Sequence, residues 1–245
     1  MCFHTSQTKK VTKLENRFKA SLHDDDARDA YDIPSYHLNG FAHPNMLIIP
    51  QEEPAALVEG KWGIVPQNKK PEEVSDYYKK GVRYGGGLNA QSEKLFNHFI
   101  YKHVAHSRRC LIPVTGFFEP HEAKGDKYPF YISRKDNDAF ALAGIYTLID
   151  GMPTFSILTK TASPLFEKIH NTKNIKRQPV LIPTLNEQNW LADNLNDKDI
   201  QHLINAQYPE EELNPYTVSK DLFSPKIHSD VKSILEKVDY ENVSI

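Results

Sequence analysis

The apolar positions of this chain follow two periods. Within the charged stretch Val11 to Tyr31, residues Leu14, Phe18 and Leu22 recur at helical spacing and predict a helix. Glu72 to Lys80 predicts a short surface helix, and Pro164 to Ile169 another that delivers His170. Elsewhere, short apolar runs bounded by turn residues predict strands. Met46-Leu47-Ile48-Ile49-Pro50 follows an Asn39-Gly40 turn, and the run from Val58 to Pro66 is stopped by its proline. Arg108 to Pro120 reads as one dense apolar strand with a single carboxylate, Glu119, near its end. Tyr128 to Ser133, Phe140 to Leu148, Thr154 to Thr159 and Pro179 to Pro183 are strand-like, with Asp150-Gly151 as a hairpin turn.

Three consecutive glycines, Gly85 to Gly87, suggest a phosphate cradle, but the lysine and hydroxyl residue of a P-loop are missing. A flexible turn is the better reading. Asn89 then sits as the N-cap of a helix carrying Leu95, Phe96, Phe99, Ile100 and Val104 to about Ser107. Asn186 to Asn194 and Asp197 to Gln207 predict two further helices, and Asn214 to Ser219 a last strand. The strand-rich centre predicts a curved antiparallel or mixed sheet.

A length of 245 residues fits one large domain or two small ones, and 39% hydrophobic residues supply a sizeable core. No repeat or linker divides the chain, so residues 1–220 read as one domain and 221–245 as a polar tail with a helix predicted near Ser229–Val238. The net charge of −2 excludes a nucleic-acid binder that works by bulk charge; such a partner needs a local basic surface. Two cysteines, Cys2 and Cys110, make neither a disulfide framework nor a zinc site, and point to a reduced, cytoplasmic compartment. The N-terminus has no signal-peptide core, and the longest apolar run, Phe140 to Ile149, is about half of a bilayer span.

The candidate chemistry starts at Met1-Cys2. If Met1 is removed, the new terminus carries an amine and a thiol on adjacent carbons, titrating near ~8 and ~8.5. That pair condenses with an aldehyde to an imine and then a thiazolidine, or attacks an acyl carbon. Against this stands the commoner fate of a terminal cysteine, an accident of a loose end. Glu119, after two aromatics, is placed for desolvation and proton transfer, although most glutamates at strand ends face solvent. His170 is followed by Lys173, Lys176 and Arg177, cations suited to phosphates.

The order of these motifs resembles the SOS response-associated peptidase (SRAP) family. The resemblance rests on Met1-Cys2, Trp62-Gly63-Ile64-Val65-Pro66, Asn89-Ala90-Gln91-Ser92-Glu93, Arg109 to Pro113 running to Gly116-Phe117-Phe118-Glu119, Ala143-Gly144-Ile145-Tyr146, Thr154 to Thr159, and Ile169-His170-Asn171 with Arg177-Gln178-Pro179-Val180. It runs from residue 2 to about Trp190-Leu191. It implies an α+β fold around a curved, barrel-like mixed or antiparallel sheet flanked by helices. It also implies removal of Met1, which self-cleavage can supply, and cross-linking of Cys2 to the ring-opened aldehyde of an abasic site in single-stranded DNA, with weak lyase activity. It places the catalytic set on Cys2, Asn89, Glu119 and His170, and implies no metal, cofactor or obligate protein partner.

The departures concern DNA contacts. The family's Cys-Gly-Arg is Cys2-Phe3-His4, its Asn-Ala-Arg is Asn89-Ala90-Gln91, and aromatic positions are replaced by Gln67, Asn68 and Pro120. The candidate DNA-binding residues are therefore His4, Trp62, Arg83, Gln91, Lys173, Lys176 and Arg177, with Phe3 or Trp62 stacking on bases. Two other readings compete. One is an N-terminal-nucleophile amidohydrolase with Asn39-Gly40 lending an oxyanion donor; the other is a non-catalytic DNA-binding or scaffold protein of the same fold.

Overall fold

The computed structural model describes residues 2–171 and 176–243. The strands in chain order are β1 (His4–Gln7), β2 (Ser21–Leu22), β3 (Ser35–Asn39), β4 (Asn45–Pro50), β5 (Ala56–Trp62), β6 (Asn89–Gln91) and β7 (Arg109–Val114). They continue as β8 (Gly116–Ala123), β9 (Asp126–Arg134), β10 (Phe140–Ile149), β11 (Met152–Thr161), β12 (Arg177–Pro179), β13 (Leu181–Ile182) and β14 (Leu213–Thr217). The α-helices are α1 (Val11–Phe18), α2 (Arg28–Asp32), α3 (Pro71–Gly81), α4 (Pro164–Ile169), α5 (Glu187–Leu191) and α6 (Asp197–Asn205).

Strands β5, β4, β7, β10 and β11 pair in that order, and β11 returns to pair with β5 in parallel, so the ring closes into a barrel. A second, antiparallel sheet runs β14-β9-β8-β1-β3. This is the α+β fold with a curved, barrel-like mixed sheet that the family resemblance implies. β10 is buried along nearly its whole length because both of its faces are covered. Ala141, Ala143 and Ile145 pack with Leu14, Phe18, Trp190 and Ile200 of the helices, whereas Leu142 and Tyr146 pack with Cys2 and Phe117. Gly144 lets β7 approach: a Cβ there would lie 2.8 Å from Cys110 Sγ. None of the helices among the described residues is long and apolar enough to cross a membrane.

Tertiary pairing overrides local periodicity at four places. The helix predicted over Val11 to Tyr31 stops at Phe18, because Lys19 turns left-handed (φ 55°) and Leu22 enters β2, where it pairs with Leu57 of β5. Asn89 is not a helix cap. It opens β6, which pairs in parallel with Ile157 to Thr159 of β11, and 3-10 turns at Ser92–Lys94 and Tyr101–His103 replace the predicted helix. The single strand predicted over Arg108 to Pro120 is two, β7 in the barrel and β8 in the other sheet. The change of sheet occurs at Thr115, whose N–H donates to Ser6 O, and at Gly116, where a Cβ would collide with the Tyr131 ring. In the tail, the predicted helix is reduced to a 3-10 turn at Lys232–Leu235, and Asp230 Oδ1 accepts from the backbone N–H groups of Tyr36 (2.6 Å) and His37 (3.0 Å).

Candidate active site at the amino terminus

β1 carries the start of the chain into the protein. It lies between β3 and β8 in antiparallel register, His4 opposite Phe118 and Thr5 opposite Phe117, so the residues before His4 run toward Glu119. The Gly40 N–H donates to Phe3 O at 2.8 Å. Gly40 is needed for that approach, since a Cβ would come within 3.1 Å of both Phe3 O and the Trp62 ring. The same bond occupies the backbone donor that an oxyanion hole at Asn39-Gly40 would require. Cys2 is consequently fully buried, among Trp62, Leu88 and Phe117. Its thiol donates to His4 O at 3.7 Å.

Asn89 reaches the same point from the other side. Gly85, Gly86 and Gly87 all take left-handed backbone (φ 88°, 61° and 71°), which turns the chain into β6. Asn89 Nδ2 donates to Cys2 O at 2.9 Å, and Asn89 Oδ1 is buried without a hydrogen-bond partner among the described residues. An acceptor left in this way is poised for a donor that arrives later.

Glu119 is fully buried on β8, and its Oε2 lies 2.7 Å from His170 Nδ1 at the end of α4. Burial alone would raise the Glu119 carboxyl; the positive charge gathered around it, His170 included, outweighs this and holds it below its ordinary value. The Cys2 thiol is pushed well up, first by burial and then by the Glu119 charge, so it rests protonated. The site thus pairs a neutral thiol with an ionised carboxylate and an imidazole. This arrangement can relay protons while holding only one buried negative charge. Among the described residues, no group of three His, Cys, Asp or Glu side chains could hold a metal ion.

The candidate DNA-binding residues separate into two sets. Trp62 is fully buried and its indole N–H donates to Leu88 O at 2.9 Å, so it supports the Cys2 pocket and has no face for a base. Arg177 is also buried: its guanidinium bonds both Glu93 oxygens (3.0 and 2.8 Å) and Thr159 O (2.6 Å), so it is engaged inside the protein. His4 bonds His37 across 2.8 Å, and burial, followed by that neighbour, lowers it to about 4, so it is a neutral ring. Arg83 is exposed, while Gln91 and Lys176 are half-buried. Lys173 lies outside the described residues, as does Met1.

Three exposed aromatics escaped the sequence reading. Tyr84 and Phe99 stand on a cavity of about 640 Å³ that Asn89 also lines. Phe99 was hidden by the helical period, which assigned it to a buried face. Phe41, whose ring centroid is 4.9 Å from that of Phe3, stands on a second cavity of about 650 Å³ lined also by His170 and Phe223. The only sequence signal for Phe41 is its position directly after the Asn39-Gly40 turn.

The family described as SOS response associated peptidase (SRAP) matches residues 1–225. The chain is similar to the abasic site processing protein YoqW of Bacillus subtilis, with 27% identity over 228 residues, covering 87% of this chain and 96% of that protein. It is also similar to the abasic site processing protein YobE of the same species, with 26% identity over 218 residues, covering 83% and 93%. Among solved structures, a protein from Bacteroides thetaiotaomicron superposes with a TM-score of 0.82 at 27% identity, covering 97% of this chain and all of the other (100%). A Bordetella bronchiseptica protein at 21% identity shares the fold with a TM-score of 0.73, over 89% and 100% of the two chains.

Proposed function

The chain belongs to the SOS response-associated peptidase family, and on that premise we propose that it captures abasic sites in single-stranded DNA through Cys2. Met1 is first removed by the protein's own cysteine-peptidase chemistry, which frees the Cys2 amine. The amine adds to the aldehyde of the ring-opened sugar and water leaves, giving an imine. The Cys2 sulfur then adds to the imine carbon while its proton passes to the nitrogen, closing a thiazolidine. The net change is one water released per cross-link.

Each neighbour has a part in this sequence. Asn89 Nδ2 fixes the Cys2 carbonyl, and its unpartnered Oδ1 is the acceptor for the new amine. Glu119 moves the protons of imine formation and ring closure. His170 protonates the sugar oxygen as the ring opens, and the imine it helps to form permits a slow lyase cleavage. Arg83, Gln91, Lys173 and Lys176 remain as the DNA-contacting side chains; Trp62 and Arg177 do not.

The observation that carries the reading is the burial of Cys2 with its carbonyl on Asn89, which is not how a loose terminus behaves. Intact mass of the purified protein should lack Met1. Incubation with single-stranded DNA holding one abasic site should then give a shifted band on a denaturing gel. A band that persists in Cys2→Ala, or no band from protein lacking Met1, would sink the proposal.

A further inference from the structure

His170 directly follows a helix of six residues, α4, too short to fix the side chain beyond its end, and β8 supplies the missing constraint. Three successive attachments run from this strand to the residues around His170. Glu119 pairs with His170 itself. His121, two residues on and on the same face, places Nδ1 3.0 Å from Lys168 O and 3.1 Å from Ile169 O, two carbonyls that a helix end leaves without partners. As a donor to them, the His121 ring carries its proton on Nδ1.

The third attachment is bidentate. The Glu122 N–H donates to Asn171 Oδ1 at 2.7 Å, and Asn171 Nδ2 donates to Glu122 O at 2.8 Å. The carboxamide copies the pairing of a neighbouring strand at the residue directly after His170. Both Asn171 and Glu122 are exposed, so water could satisfy the same groups and the bonds add little to folding. Their effect is geometric: His170 is held between the His121 contact before it and the Asn171 contact after it. The imidazole then has to keep Nδ1 on Glu119, which leaves Nε2 as the nitrogen that gives or takes a proton.

We propose that Asn171 is a positioning residue: its two-point bond to the Glu122 backbone aims the His170 imidazole at Glu119 and sets the nitrogen that works on the sugar. The kinetic part of this rests on the abasic-site reading; the geometric part does not. The experiment compares wild type, Asn171→Ala and Asn171→Asp. Aspartate keeps the acceptor for the Glu122 N–H and loses the donor to Glu122 O.

Two readouts are taken on full-length protein: the ring ¹⁵N shifts of His170, and single-turnover cross-linking at increasing concentrations of abasic single-stranded DNA. In Asn171→Ala, the His170 ¹⁵N pattern should lose the signature of an Nδ1 proton held on carboxylate. The maximal cross-linking rate should fall about ten- to a hundredfold, the range for a supporting-shell residue, with the half-saturating DNA concentration unchanged. Asn171→Asp should lie between. Unchanged ¹⁵N shifts in Asn171→Ala, or changed shifts with a wild-type rate, would overturn the proposal. If wild-type protein does not cross-link but the shifts change as expected, the positioning role stands and the functional reading falls.

Discussion

Asn89 Nδ2 donates to Cys2 O at 2.9 Å, a bond that joins the second residue of the chain to a strand 87 positions later. It makes the chain end part of the core rather than a free arm. Asn89→Ala removes the donor and also the buried Oδ1. Asn89→Asp keeps the shape but sets a carboxylate oxygen against a carbonyl. Cross-linking to abasic DNA should fall about a hundredfold in either variant, as for a lost positioned donor in an active site. The unfolding free energy of Asn89→Ala, from urea titration followed by fluorescence, should fall by no more than about 1–2 kcal/mol.

Glu119 gives a prediction in pH. Its ordinary value is 4.5 and its folded value is lower, so folding favours the ionised form. That contribution is complete above 4.5 and is lost as pH falls through the folded value. Unfolding midpoints taken from neutral pH down into this range should drop more steeply in wild type than in Glu119→Gln. At neutral pH the variant should be the less stable of the two, because His170 loses its charged partner. Parallel slopes for the two proteins would contradict this assignment.

Much of the barrel could be read in the sequence, because β4, β10 and β11 are apolar runs bounded by clear turns, as is β9 of the second sheet. The Asp150-Gly151 turn, with φ of 51° and 82°, is the plainest case. What could not be read depends on partners distant in sequence. Leu95, Ile100 and Val104 carry a helical period, yet Asn89 to Gln91 are drawn into pairing with β11. Cys2, Asn89, Glu119 and His170 could be named from the resemblance, but no spacing shows that a terminus is drawn beneath a strand. The opposite case is Trp62 and Arg177, which pack inside the protein. Aromatic and cationic side chains suggest nucleic acid, whereas Leu88 O, Glu93 and Thr159 claim both for the interior.

That contrast predicts opposite phenotypes for two arginines. Arg177→Ala breaks a buried guanidinium's bonds to Glu93 and Thr159 and should cost about 1–3 kcal/mol in denaturant unfolding. Arg83 is exposed and packs only loosely over Tyr84, 5.9 Å from its ring centroid. Arg83→Ala should leave the unfolding free energy within about 0.5 kcal/mol of wild type. If Arg83 meets a phosphate, the variant should flatten the plot of log affinity for single-stranded DNA against log salt by about 0.7.

Gly40→Ala tests whether the depth of the chain end matters to the chemistry. Gly40 has no left-handed backbone that would reject alanine, so the effect comes from space alone. The new methyl would sit 3.1 Å from Phe3 O, 3.1 Å from the Trp62 ring and 3.2 Å from Leu88 Cδ1, closer than ordinary contact. Trp62 and Leu88 are fully buried and cannot move away freely, so Phe3 gives way and carries Cys2 with it. The fold should survive with a loss of about 1–3 kcal/mol, the usual cost of overpacking. Cross-linking should fall by far more than that loss implies, because a shift of about 1 Å at the reacting atoms costs about a hundredfold. A stable Gly40→Ala protein that cross-links at the wild-type rate would mean that the bond between Gly40 N–H and Phe3 O does not set the position of the thiol.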